Sequence, residues 1–226
     1  LDPDHSLFLA SEVESYKRKY GSNLGAALKA GDLSGPYTIH AQYRGRLTQF
    51  YTYMLDELKK PQNLKQANVY IETDREQALY FANEAAQRQH WNKMLVSQLI
   101  NLTISKEEVK AKQKALKANP ELANGQDLTS SEDLTPVQTL TKRYMRQLER
   151  ISRVKSDDVL DKTLNAMTLT YDPHSNYFPP VDAMELNRQT TLQLEGIGVS
   201  IRPERGNEDY TKIETIVEGG PASKSG

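Results

Sequence analysis

Two short stretches carry residues whose types and spacing could do chemistry. The first is Leu194-Glu195-Gly196-Ile197-Gly198-Val199-Ser200-Ile201. Glycines let the backbone take torsions that crowd other residues, so a Gly-apolar-Gly-apolar turn entering a strand can aim successive N–H groups at one anion. A free peptide C-terminus is such an anion, and backbone capture of that carboxylate is a known recognition mode. Each amide-to-carboxylate bond would contribute roughly 1.5–3 kcal/mol, because the acceptor is charged. A strand with two glycines at a bulge has the same spacing, and the two readings stay open on spacing alone.

The second stretch is Tyr171-Asp172-Pro173-His174-Ser175-Asn176-Tyr177-Phe178. Asp, His and Ser within four residues invite a triad, but triad members come from separate elements and converge in space. Asp172 and His174 could ligate a metal, yet no third ligand at suitable spacing stands near. The expected role is structural: Asp172-Pro173 ends a helix, and Tyr177 and Phe178 dock the loop onto the core. His5, His40 and His90 are scattered and read as surface or packing residues, and Trp91 reads as core. No phosphate loop, nucleophile elbow or zinc-protease motif is found, and no cofactor or metal site is expected.

The elements that must position these stretches follow from period and composition. With 226 residues, 37% hydrophobic and 26% charged, the chain can bury a real core. Its 29 basic and 30 acidic residues are interspersed, which gives no electrostatic reason to expect nucleic acid. No apolar run approaches a membrane span, the first residues do not form a signal peptide, and cysteine is absent. Most of the first 172 residues read as helix. Ser11 with Glu14 and Thr73 with Glu76 have capping-box spacing, and Gly21 and Gly31 stand where helices often end in a left-handed residue. Ile39, Tyr43, Leu47, Tyr51, Leu55 and Leu58 form one stripe. Leu79, Ala82, Ala86, Trp91, Leu95, Leu99 and Leu102 form another. The Lys/Glu-rich run from 105 to 119 reads as an exposed helix, and 120–134 as a surface loop. Pro136 opens a helix with the stripe Leu140, Tyr144, Leu148 and Ile151, and Ser156 caps another ending at Asp172.

After about residue 189 the period changes to that of strands. Leu192, Leu194, Val199 and Ile201 alternate with polar or small residues, Ile213 and Ile216 less strictly, with a polar turn at 204–209. Gly219-Gly220-Pro221-Ala222 is a tight turn that could open a short helix. The predicted fold is mainly α: a helical domain over 1–185, then a short β-hairpin within 186–226.

Taken together, DPHSNYF at 172–178, Met184-Glu185-Leu186, LEGIGVSI at 194–201 and VEGGPASKSG at 217–226 resemble the tail-specific, C-terminal-processing peptidases. LDPDHSLFLASEVE at 1–14 is similar to the N-terminal helical domain of the long periplasmic bacterial type. The resemblance implies that 186–226 is the beginning of a PDZ domain. Gly196, Ile197, Gly198 and Val199 would then form the loop that holds a substrate's C-terminal carboxylate, and Ile201 would line its side-chain pocket. It also implies a serine nucleophile and a lysine base in a later domain, so that this chain, ending at Gly226, holds no catalytic residue and is inactive alone. Expected partners are the C-terminal tails of protein substrates, with an adaptor protein, self-association or peripheral membrane association of the parent as further options. A non-catalytic helical scaffold or adaptor with a PDZ-like tail-binding end is the alternative.

Overall fold

Local side-chain chemistry sets several, though not all, of the helix starts in this chain. The computed structural model describes every residue except 66–69, 119–133, 192–195, 205–206 and 225–226. In chain order its elements are α1 (Ala10–Tyr20), α2 (Leu24–Lys29), α3 (Ser34–Leu58), α4 (Glu84–Ala118), α5 (Pro136–Ser152), α6 (Ser156–Tyr171), α7 (Pro180–Thr190), β1 (Val199–Glu204), β2 (Asn207–Ile216) and α8 (Pro221–Lys224). Two compact units divide the chain, Leu1–Thr163 and Leu164–Gly226, so α6 belongs partly to each. The mainly helical fold with a short antiparallel hairpin is the one the sequence predicts.

In the first unit, three helices supply one core row each at helical spacing. Phe50, Met54 and Leu58 come from α3, Trp91, Leu95 and Leu99 from α4, and Leu140 and Tyr144 from α5. These helices pack pairwise, and Phe50 meets Trp91 edge to face at 5.1 Å between ring centres. The α3 stripe read from the sequence lies beside this row: Tyr43, Leu47, Tyr51 and Leu55 are half-buried against it. The N-terminal segment closes one end. Asp2 is buried, and its carboxylate accepts the N–H groups of Ser6, Leu7 and Phe8 at 3.0, 2.9 and 2.9 Å. Trp91 Nε1 donates to the Ser6 carbonyl at 2.9 Å and Gln87 Nε2 to that of Leu7 at 2.8 Å. The core tryptophan thus has its one polar atom satisfied, as burial requires.

Several local expectations are corrected. The first helix is capped two residues earlier than Ser11/Glu14 spacing implied: Glu12 Oε2 accepts the Leu9 N–H at 2.8 Å, and Glu14 pairs with Lys17. Thr73 and Glu76 cap nothing, because 71–83 is irregular, and Leu79 is 89% exposed rather than core. Asn83 caps α4 instead, accepting the Ala86 N–H at 2.9 Å. The Lys-rich segment from 105 to 118 continues α4 without a break, and the loop expected over 120–134 lies almost wholly outside the described residues. Gly21 is right-handed, at φ −58°. Clearance is its requirement, since a β-carbon would stand 2.5 Å from the Lys17 carbonyl oxygen. Gly31 is left-handed as expected. Ser156 is the first residue of α6 rather than its cap, and Asp158 accepts the Lys155 N–H at 2.8 Å.

Pro136 does open α5. Thr135 and Gln138 satisfy each other's backbone N–H at 3.2 and 2.8 Å, a reciprocal cap worth about 1 kcal/mol. In the second unit the sequence reading missed α7 as a separate helix. No described residue of this unit is buried.

Candidate carboxylate-binding loop

β1 and β2 form a two-stranded antiparallel sheet in which Val199 faces Ile216, Ser200 faces Thr215 and Ile201 faces Ile213. The register skips one residue of β2 between the last two pairs, leaving Glu214 as a bulge. Ile213 and Ile216 are an odd number apart and would point to opposite faces of a regular strand. The bulge brings both to the face shared by Val199 and Ile201. That face is apolar and open, with Ile201, Ile213 and Ile216 exposed by 64%, 56% and 56%. An Arg202–Glu214 ion pair at 2.9 Å joins the two strands.

The turn before β1 is fixed by the turn after β2. The Gly198 carbonyl accepts the Val217 N–H and the Ile197 carbonyl accepts the Ala222 N–H, both at 2.8 Å, while Gly220 donates to Val217 at 3.1 Å. Gly198 has φ +77°, where only glycine is unstrained, and a β-carbon on it would lie 3.3 Å from the Gly220 Cα and 3.6 Å from Pro221 Cδ. Gly196 differs: space for a β-carbon is open there. Because Gly198 bonds to Val217, the alternation of an antiparallel ladder points the Val199 N–H and C=O away from β2, toward the other edge of β1. Among the described residues no strand covers that edge. Gly196, Ile197, Gly198, Val199 and Ile201 therefore lie in one continuous turn and strand, with Ile197 68% exposed. The sequence reading missed the share of Val217, Gly220 and Ala222 in holding the turn. The GGPA motif was the available signal. Leu192 and Leu194 lie outside the described residues.

The Asp172–Ser175 stretch is a turn. Asp172 Oδ2 accepts the Ser175 hydroxyl at 2.7 Å and Oδ1 the His174 backbone N–H at 3.1 Å, and these two bonds hold the carboxyl below its usual range. Asn165 grips the backbone of Tyr177, accepting its N–H at 2.9 Å and donating to its carbonyl at 3.1 Å. Phe178, expected to dock on the core, is 45% exposed. No nucleophile–base contact arises from these residues, since Asp172 receives Ser175 directly and His174 only through its backbone.

The family model for the tail specific protease N-terminal domain matches residues 1–181. The chain belongs to this family. A tail-specific protease of Haemophilus influenzae is 32% identical over 228 residues, covering 100% of this chain and 28% of that protein. The chain thus spans little more than a quarter of that relative's length. The family domain ends within the first turn of α7, while the pairing with the Haemophilus protease runs on through the hairpin. Among the described residues no helix is long and apolar enough to cross a membrane.

Proposed function

We propose that the chain supplies the helical N-terminal domain and the tail-recognition loop of a Ser/Lys-type serine endopeptidase of the bacterial periplasm. The enzyme captures the C-terminal tail of a protein substrate through a PDZ domain that begins in 186–226, and then degrades or processes that substrate. The observation that carries the reading is Gly198: left-handed, in backbone contact with Gly220, and placed at the mouth of a strand edge that no described strand covers. A substrate tail adds to that edge as a strand, bonding to the outward N–H and C=O of Val199. Its carboxylate meets the N–H groups of the Gly196–Gly198 turn, and Val199 and Ile201 receive its apolar side chains. The serine and lysine that cut lie outside these residues in this reading, so recognition and cleavage are carried by different segments.

Proteolysis assays separate this reading from a scaffold that only binds. The 226-residue chain is expected to leave a protein with an apolar C-terminus intact, and the chain extended by its downstream sequence to degrade it. The extended form should lose activity when that C-terminus is amidated. Turnover by the short chain that survives repurification and vanishes in His174→Ala would overturn the assignment, as would an extended form that binds tails without cutting.

A further inference from the structure

The first unit holds a second site candidate of its own. A pocket of about 210 Å³ opens among α3, α5 and α6, several times the roughly 30 Å³ share of one water. His40, Tyr43, Arg44, Tyr51, Arg150 and Lys162 line it, over an apolar wall that includes Leu47 and Ile151. Among the described residues that line it there is no carboxylate. Its cationic side chains converge from three different helices, whereas the chain as a whole is nearly neutral.

Arg150 stands in the last turn of α5, where a cation also suits the helix dipole. Arg44 has no such account. Its Nε is buried and has no hydrogen-bond partner among the described residues, a costly state for a charged donor. His40 is buried at the same place. Burial first, then the positive charges of Lys162 and Arg44, hold its imidazole below the ordinary histidine range, with Asp158 acting in the opposite sense. The pocket is therefore positive and partly desolvated, and its described lining offers no carboxylate. A planar carboxylate is matched by one guanidinium fork, whereas donors arriving from several directions match a tetrahedral oxyanion.

We propose that this pocket binds a phosphate group, with Arg44, Arg150 and Lys162 as its cationic contacts and Tyr43 and Tyr51 as hydroxyl donors. Phosphate oxygens accept from the guanidinium of Arg44 where it lines the pocket, and the wall of Leu47 and Ile151 packs the apolar part of a phosphate ester.

Titrating the chain with inorganic phosphate at constant ionic strength, while following the His40 ring signals by NMR, tests this. The expected result is a saturable shift, with the His40 titration midpoint moved upward as the anion offsets Lys162 and Arg44. Arg44→Gln should weaken binding roughly tenfold or more. Lys162→Gln, at an exposed position, should weaken it as well and serves if the Arg44 variant folds poorly. Vesicles of phosphatidylglycerol against phosphatidylcholine separate the sources of the phosphate. Co-sedimentation with the anionic vesicles that is lost in Lys162→Gln assigns a lipid headgroup, and phosphate binding without co-sedimentation assigns a soluble phosphate. Absence of a saturable His40 shift, or one unchanged in both variants, overturns the proposal.

Discussion

Gly198 and Gly220 meet backbone to backbone, so that a β-carbon on either would stand 3.3 Å from the other's Cα. This contact ties the turn entering β1 to the turn leaving β2. The bonds from Val217 and Ala222 to the Gly198 and Ile197 carbonyls complete the tie. The outward aim of the Val199 amide depends on it.

Gly198→Ala should loosen this turn. A left-handed alanine costs roughly 1–2 kcal/mol before any steric conflict is added. Amide exchange at Val217 and Ala222 should accelerate, while Gly196→Ala leaves both unchanged because space there is open. Equal exchange in the two variants would mean that the glycine contact does not hold the loop.

Acid stability should depend on Glu12. Burial pushes its carboxyl upward, but the Leu9 N–H and the Arg46 and Gln42 side chains outweigh that and hold it below the usual range. Its stabilising share is therefore complete above the unfolded value of about 4.3 and is lost as pH falls through the lower folded value. Urea unfolding of Glu12→Gln should show a flatter loss of stability over that range than the parent. Arg46 contacts Glu12, Gln49 and Glu84 at 2.9–3.2 Å while itself buried. Arg46→Ala should cost about 3 kcal/mol, because a partly desolvated carboxylate is left without its partner.

Alkaline unfolding should report Tyr144. Burial, reinforced by Tyr51, pushes its hydroxyl up to about 12, and that hydroxyl donates to Gln98 Oε1 at 2.8 Å. A raised folded value contributes stability below the unfolded value of about 10, lost as pH rises toward the folded one. Tyr144→Phe should be less stable at neutral pH and lose less between about pH 10 and about 12. A parallel decline in both proteins would place the alkaline sensitivity elsewhere.

Core truncation separates two leucines of one helix. Leu140 is fully buried, whereas Leu148 on the same stripe is half-buried. Leu140→Ala should cost about 2–5 kcal/mol in denaturant unfolding and Leu148→Ala distinctly less. The reverse order would mean that α5 presents a different face to the core.

What the sequence made legible was periodic. The rows of Trp91, Leu95 and Leu99 and of Leu140 and Tyr144 repeat every four residues and mark their helices without tertiary information. Ends were harder, because a capping box is a short pattern that tertiary contacts can override. Thr73 and Glu76 have the spacing, yet Arg75 between them is drawn down onto the Phe81 ring at 4.4 Å, and the chain stays irregular to Asn83. The Gly198 turn was legible as glycine spacing. Its partner Gly220 was not, since nothing local shows that residues 22 apart will touch. Ile213 and Ile216 looked irregular because the bulge at Glu214 is a property of the pairing rather than of either strand.

The claim that the Gly196–Val199 turn and the β1 edge receive a C-terminal tail is tested most directly by a pair of peptides. They share one apolar C-terminal sequence and differ only in a free carboxylate or an amide end. Titrated into isotope-labelled chain, the free acid should shift the backbone amides of Ile197 to Ile201 saturably and the amidated peptide should not. Equal shifts with both peptides, or shifts that spare residues 197–201, would contradict the account.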